Sequence, residues 1–176
     1  MRQGHRLLSK NQHRKIGSAL FNHVWDLMEK KSRTREEDAE MIRDVHAMRF
    51  HWGEAGTPVN FAVAEWQIAR VYSMLGMPES ALYHAKKSIA CVRSGGEEFE
   101  DFHLPSSYEG LARAHSAAGD RQNAQRYLER AKRLASKIKN PEDRKVVQGQ
   151  IASVSLPHMR RRTHSRTTRK LSTGNR

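Results

Sequence analysis

The densest group of chemically capable side chains in this sequence is the stretch HAMRFHWGEAGTPVN, which brings His46, Arg49, His51 and Trp52 close together. Two histidines invite a metal reading. On a helix, however, positions 46 and 51 stand about 500° apart, so the imidazoles point away from each other. No adjacent carboxylate or thiol completes a ligand set. The spacing instead predicts that Trp52 is core and that one histidine caps carbonyls at a helix end. A second cluster, Glu97, Glu98, Glu100 and Asp101, falls in a predicted loop. There mutual repulsion favours hydration over a tuned acid–base pair, or else the acids take up a basic tail, the chain's own or a neighbour's. A glycine-rich phosphate loop, an H-E-x-x-H pair and a nucleophile elbow are all missing from the sequence. The expectation is a protein that is not an enzyme and carries no cofactor and no metal.

The elements that must position these side chains are read from apolar periodicity. Ile16, Leu20, Val24 and Leu27, with Phe21, Trp25 and Met28, make the stripe of a first helix that closes near Lys30 and Lys31, cations suited to a helix C-terminus. Thr34 and Glu37 form a T-x-x-E capping box for a second helix, whose face is Met41, Ile42, Val45, Met48 and Trp52 and whose end is set at Gly53. Thr57 and Pro58 start a third helix that runs to about Leu75 and stops at Gly76. A fourth carries Ala81, Leu82, Ala85 and Ile89, and a fifth lies around residues 100–118 and ends at Gly119. Asp120 caps a sixth with Ala124, Leu128, Ala131 and Leu134 on one face, and Asn140, Pro141 and Asp143 open a short seventh through Val147 and Ile151. No segment alternates with a period of two, so seven helices and no sheet are expected.

Composition places the charge elsewhere. The 176 residues carry 32 Lys or Arg against 19 Asp or Glu, a formal net charge of +13. Residues 1–15 hold five of the basic residues and residues 156–176 hold seven, with no acid in either stretch. The middle of the chain is therefore close to neutral. The boundaries follow: a basic flexible tail over residues 1–12, a helical domain over 13–155, and a basic disordered tail over 156–176. The run RRRTHSRTTRK can neutralise phosphates without needing shape; equally, it is a solvated terminus that aids solubility. Cys91 is the single cysteine and is expected as a small core residue, which gives no support to a disulfide-bridged secreted scaffold. No stretch approaches the roughly 18 apolar residues that span a bilayer, and no apolar run follows the basic N-terminus. A cytoplasmic protein with no membrane contact is the expectation.

Two segments look alike. AEWQIARVYSMLGMPESALYHAKKSI begins at Ala64, and SYEGLARAHSAAGDRQNAQRYLERAKRL begins at Ser107. With Gly76 over Gly119, Ile68 meets Leu111, Ala69 meets Ala112, Tyr72 meets His115, Ala81 meets Ala124, and Ala85 meets Leu128. Small residues at these positions let two helices approach closely, and the glycine supplies a left-handed helix end. On these residues the chain resembles the tetratricopeptide repeat family, over about residues 62–138. The spacing of 43 residues exceeds the family's 34, and the excess falls at GEEFEDFHL, residues 96–104. His115 replaces an aromatic, and Glu65 stands where the family often has Trp. Residues 13–53 keep only the helix–turn–helix shape.

The resemblance implies an all-α fold, a right-handed stack of antiparallel helix hairpins of about seven helices, with the last helix as its cap. It implies that the first helix of each hairpin lines a concave partner-binding face. The family's positions there map onto Trp66, Arg70 and Ser73 and onto Glu109, Arg113 and Ser116. Arg70 and Arg113 would then lie side by side and hold a peptide carboxylate or phosphate through bidentate hydrogen bonds. Alternatively each pairs with a nearby acid such as Glu65 or Glu109. The Lys and Asn residues of the family's clamp for C-terminal carboxylates do not occur. The functional expectation is a protein- or peptide-binding scaffold. The alternative is non-specific nucleic-acid association through the termini, with Arg160, Arg161, Arg162, Arg166, Arg169 and Lys170 as the binding residues.

Overall fold

A computed structural model describes residues 8–157. Among them are seven α-helices and no strand: α1 (Lys10–Glu29), α2 (Arg35–Ala55), α3 (Pro58–Met74), α4 (Pro78–Ser94), α5 (His103–Ala117), α6 (Arg121–Ala135) and α7 (Pro141–Ala152). No helix among the described residues is long and apolar enough to cross a membrane.

Local chemistry accounts for most of the helix starts. Thr34 and Glu37 form the expected reciprocal cap of α2, with Glu36, Glu37 and Asp38 in its first turn, where carboxylates offset the exposed N–H groups. Thr57 and Asn60 cap α3 in the same way, ahead of Pro58. Asp120 caps α6, and Asn140 precedes Pro141 at α7. At α1 the start lies earlier than the sequence pattern placed it. The Ser9 hydroxyl accepts from the Gln12 N–H, and Gln12 Oε1 accepts from the Ser9 N–H at 2.7 Å. This S-x-x-Q box makes Lys10 the first helical residue, inside the stretch read as a tail.

One helix end also differs from expectation. α2 continues through Gly53 to Ala55 and closes where the Gly56 N–H reaches the Trp52 carbonyl at 2.7 Å. A single helical glycine costs about 1 kcal/mol relative to alanine, and burial of Trp52 and Ala55 beside it offsets that cost. α1 closes as expected at Lys30, whose backbone N–H reaches the Leu27 carbonyl at 3.4 Å, while its Nζ pairs with Glu37 Oε1 across the α1–α2 turn at 2.6 Å.

Gly76 and Gly119 do stand in turns, at φ of +69° and +73°. In both, the N–H after the glycine bonds back to a carbonyl five residues earlier, Met77 to Tyr72 and Asp120 to His115, each at 2.9 Å. α3–α4 and α5–α6 are thus joined by the same left-handed closure.

The most extensive packing is of α1 on α2, α3 on α4 and α5 on α6. Each of these pairs then meets the next through α2–α3, α4–α5 and α3–α5, and α7 lies against α5 and α6. Ala69, Ala81, Ala112 and Ala124 have no exposed surface, so the four small residues singled out by their spacing do sit at tight helix contacts. Gly17 allows another such contact, because a methyl group there would come within 2.5 Å of the Trp52 ring. The core has two parts. One gathers α1, α2 and α3 around Val24, Met41, Val45, Met48 and Ile68; the other runs from Ala69 through α4, α5, α6 and α7 to Val154. Cys91 is only half-buried and belongs to neither. In the α4–α5 loop, Asp101 accepts the Lys139 backbone N–H at 2.9 Å, so one acid of that cluster secures the α6–α7 connection.

Replacing Gly76 with alanine forces a side chain into the left-handed region and should destabilise the protein by about 1 kcal/mol. Gly149, helical with open space where its Cβ would lie, should respond oppositely, with Gly149→Ala stabilising by about 0.5–1 kcal/mol. Urea denaturation of the two variants reads both signs.

Candidate binding site

The six residues expected to line a groove fall on α3 (Trp66, Arg70, Ser73) and α5 (Glu109, Arg113, Ser116). Three of them converge on the carboxylate of a fourth, Glu109. Glu109 has no exposed surface. Its Oε2 accepts the Trp66 indole N–H at 3.0 Å; its Oε1 accepts Arg113 Nε at 2.8 Å and Arg70 Nη1 at 3.4 Å. Arg113 Nη2 stands 2.6 Å from the same oxygen. The Arg70 guanidinium lies over the Trp25 and Trp66 rings, 5.1 and 5.6 Å from their centroids, an arrangement that adds cation–π attraction. Burial pushes the Arg70 pKa down, Glu109 opposes that shift, and the neighbouring Arg113 reinforces it. Without Glu109 the two guanidinium groups would face each other half out of water.

The two arginines are therefore neighbours, as the repeat alignment implied, but between them lies the chain's own acid rather than an open anion site. Trp66 is buried and so is not a surface group. The remaining donors are engaged by the end of α7 and the residues just after it. Arg113 Nη2 donates to the Gln150 carbonyl at 3.2 Å and to Ser153 Oγ at 2.7 Å. The Ser116 hydroxyl donates to the Ser155 carbonyl, and Arg121 Nη1 to the Pro157 carbonyl at 2.6 Å. Ser73 turns inward to the Ala69 carbonyl. The basic residues Arg160, Arg161, Arg162, Arg166, Arg169 and Lys170 lie outside the described residues.

One of the spaces left open beside this network is a cavity of about 340 Å³, at the lower end of the roughly 300–1,000 Å³ of ligand sites. Five helices contribute to its wall. Phe21 and Trp25 come from α1, Ala62, Val63 and Trp66 from α3, Ser88 and Val92 from α4, His103, Ser106 and Ser107 from α5, and Asp143, Val146, Val147 and Gln150 from α7, with Phe102 just ahead of α5. Gly110 sits behind Trp66; a methyl group there would press to 2.9 Å of the indole. The wall's polar groups are mostly satisfied. Ser88 and Ser107 hydroxyls bond each other at 3.1 Å, Ser106 donates to the Phe102 carbonyl, and His103 Nδ1 meets the Glu100 carbonyl. Burial lowers the His103 pKa, which favours a neutral ring. Gln150 differs, because its Oε1 is buried without a hydrogen-bond partner. Phe21 and Trp25 were visible in the sequence only as members of a helix stripe; nothing local told them apart from core residues.

A second polar cluster was not foreseen. Glu65 is buried and is bonded by Arg49 at 3.0 Å, His84 at 2.6 Å and Lys87 at 3.1 Å. Burial works to raise its pKa, yet the hydrogen bonds from His84, Lys87 and Arg49 win and bring it from 4.5 to about 2. Beside it His46 Nε2 meets the Tyr72 hydroxyl at 2.8 Å, and Tyr72 stacks on His84. Burial, then the nearby His84, lowers the His46 pKa. The second of the two similar segments carries the same stack with its partners exchanged, His115 on Tyr127. His51 pairs instead with His13, Nδ1 to Nδ1 at 2.9 Å. So His46 and His51 do point to different neighbours, but in this structure neither caps helix-end carbonyls, because a ring from an adjacent helix reaches each first. The swapped His–Tyr pairing was the available signal, since positions 72 and 84 match 115 and 127 in the aligned segments.

Comparison with protein-family models, with curated proteins and with solved structures finds no match to this chain.

Because the folded pKa of Glu65 lies below the unfolded value, its contribution is complete above about pH 5 and is lost as pH falls toward 2. The loss should reach at most about 3 kcal/mol. Denaturation from pH 6 to pH 2.5 should show that slope in the parent protein and a shallower one in Glu65→Gln.

Proposed function

We propose that this chain is a short tetratricopeptide-like repeat protein, a right-handed stack of antiparallel hairpins, which binds a partner peptide by taking one aromatic side chain into the cavity between α1, α3, α5 and α7. The observation that carries the reading is that cavity. It has two tryptophans in its wall and room for one large side chain, which suits an aromatic anchor. The repeat reading is supported by the matching closures at Gly76 and Gly119. It is supported also by the direct bond between Trp66 and Glu109, residues at equivalent positions of the two similar segments, since neighbouring repeats place equivalent residues side by side.

The role is binding without catalysis. The buried carboxylates Glu65 and Glu109 are held in ion pairs, which stabilise their charge and leave no base poised for proton transfer.

A random peptide library displayed on phage and panned on the full chain should enrich sequences with Trp or Tyr as a common anchor, and the selected peptides should perturb the fluorescence of Trp25 and Trp66. Val63→Phe, which fills the cavity, should weaken them by about tenfold or more while the helical circular dichroism is kept. Peptides without an aromatic anchor, or unchanged affinity in Val63→Phe, would sink the reading.

The charge distribution favours a second reading, nucleic-acid association through the basic ends, since twelve of the 32 basic residues lie in residues 1–15 and 156–176, where there is no acid. Gel retardation of single- and double-stranded DNA at low salt should be indifferent to sequence, fade steeply as salt rises, and vanish when residues 158–176 are deleted.

A further inference from the structure

We propose that His23, Glu40 and Asp44 form a site for a divalent first-row transition ion of the zinc type, bridging α1 and α2. His23 stands on α1; Glu40 and Asp44 stand one turn apart on α2, so both carboxylates share one face of that helix. Nε2 of His23 lies 3.3 Å from Glu40 Oε1 and 3.5 Å from Asp44 Oδ2, and the three donor atoms fall within 4.8 Å of one another. A zinc ion holds nitrogen and oxygen ligands at about 2.0–2.2 Å, which puts neighbouring ligands of a tetrahedron about 3.4 Å apart. The two separations from His23 are already of that size, with the ligands held by two packed helices.

The charges point the same way. Two carboxylates one turn apart on a helix repel. A dication offsets both charges and accepts a lone pair from each of the three atoms. The imidazole nitrogen favours zinc-like ions over magnesium or calcium, which prefer oxygen alone. Three protein ligands leave a coordination position for water. The side chains of His23 and Glu40 are 45% and 43% exposed and that of Asp44 is 20% exposed, so an ion reaches them without any opening of the fold. Among the described residues the other histidine contacts do not gather such a set: His13 and His51 meet only as a pair, and His46 and His84 are engaged by Tyr72 and Glu65. The site shares no residue with the cavity, so its loading is independent of the peptide reading.

Calorimetric titration of the full chain with zinc chloride at pH 7.5 should show one site of micromolar affinity, no comparable response to magnesium, and a raised thermal midpoint. His23→Gln and Asp44→Asn should each weaken that site by about tenfold or more and remove the thermal shift, whereas His51→Gln should leave both in place. Absence of a one-to-one site, or zinc binding and stabilisation that survive His23→Gln, would overturn the proposal.

Discussion

A carboxylate with no exposed surface has to find its donors inside the protein, and Glu109 finds them on two helices at once. Trp66 and Arg70 reach it from α3, and Arg113 reaches it from its own helix α5. The cost of burying such a charge is several kcal/mol unless its partners are well placed, so the relative position of α3 and α5 is tied to this one group. The same constraint shapes what lies nearby. Trp66, held by its indole N–H, presents its ring to the cavity, and Arg113, turned toward Glu109, offers its outer nitrogen to Gln150 and Ser153. In this way the α3–α5 contact also fixes where α7 and the residues after it can lie.

α7 changes the meaning of the positions expected to line a groove. In a stack whose last helix only capped the end, the polar side chains of α5 would face solvent. Here Arg113, Ser116 and Arg121 hold carbonyls of residues 150, 155 and 157, while Val154 is buried in the core that α5 and α6 build. The space left under α7 is apolar and small. Recognition by a cavity of that kind rests on excluding water from one well-fitted side chain, whereas recognition along an open charged groove rests on many solvated contacts.

Local features of the sequence carried the secondary structure. A capping box, a proline at a first helical position and a glycine in the left-handed region act within a few residues, so Thr34 with Glu37, Pro58, Gly76 and Gly119 could be read where they stand. The misreadings came where two local signals competed. Gly53 looked like a stop, but packing of Trp52 and Ala55 carried α2 past it. Ser9 and Gln12 made a start within a stretch whose charges looked like those of a tail. The candidate residues were legible as a set, because aligning two similar segments brought Trp66, Arg70, Glu109 and Arg113 into register.

The sequence by itself determined that the chain is helical, where most helices begin and end, which small residues sit at the closest contacts, and that its excess positive charge lies at its ends. These follow from interactions within one or two helical turns, or from simple counting. Only the tertiary structure decided that Glu109 faces inward with both arginines on it, that Glu65 gathers charges from α2 and α4, and that five helices leave an aromatic cavity between them. Each of these depends on side chains far apart in sequence arriving at one point, and whether an arginine meets solvent or a buried acid is set by helix rotation and packing, which no local pattern specifies.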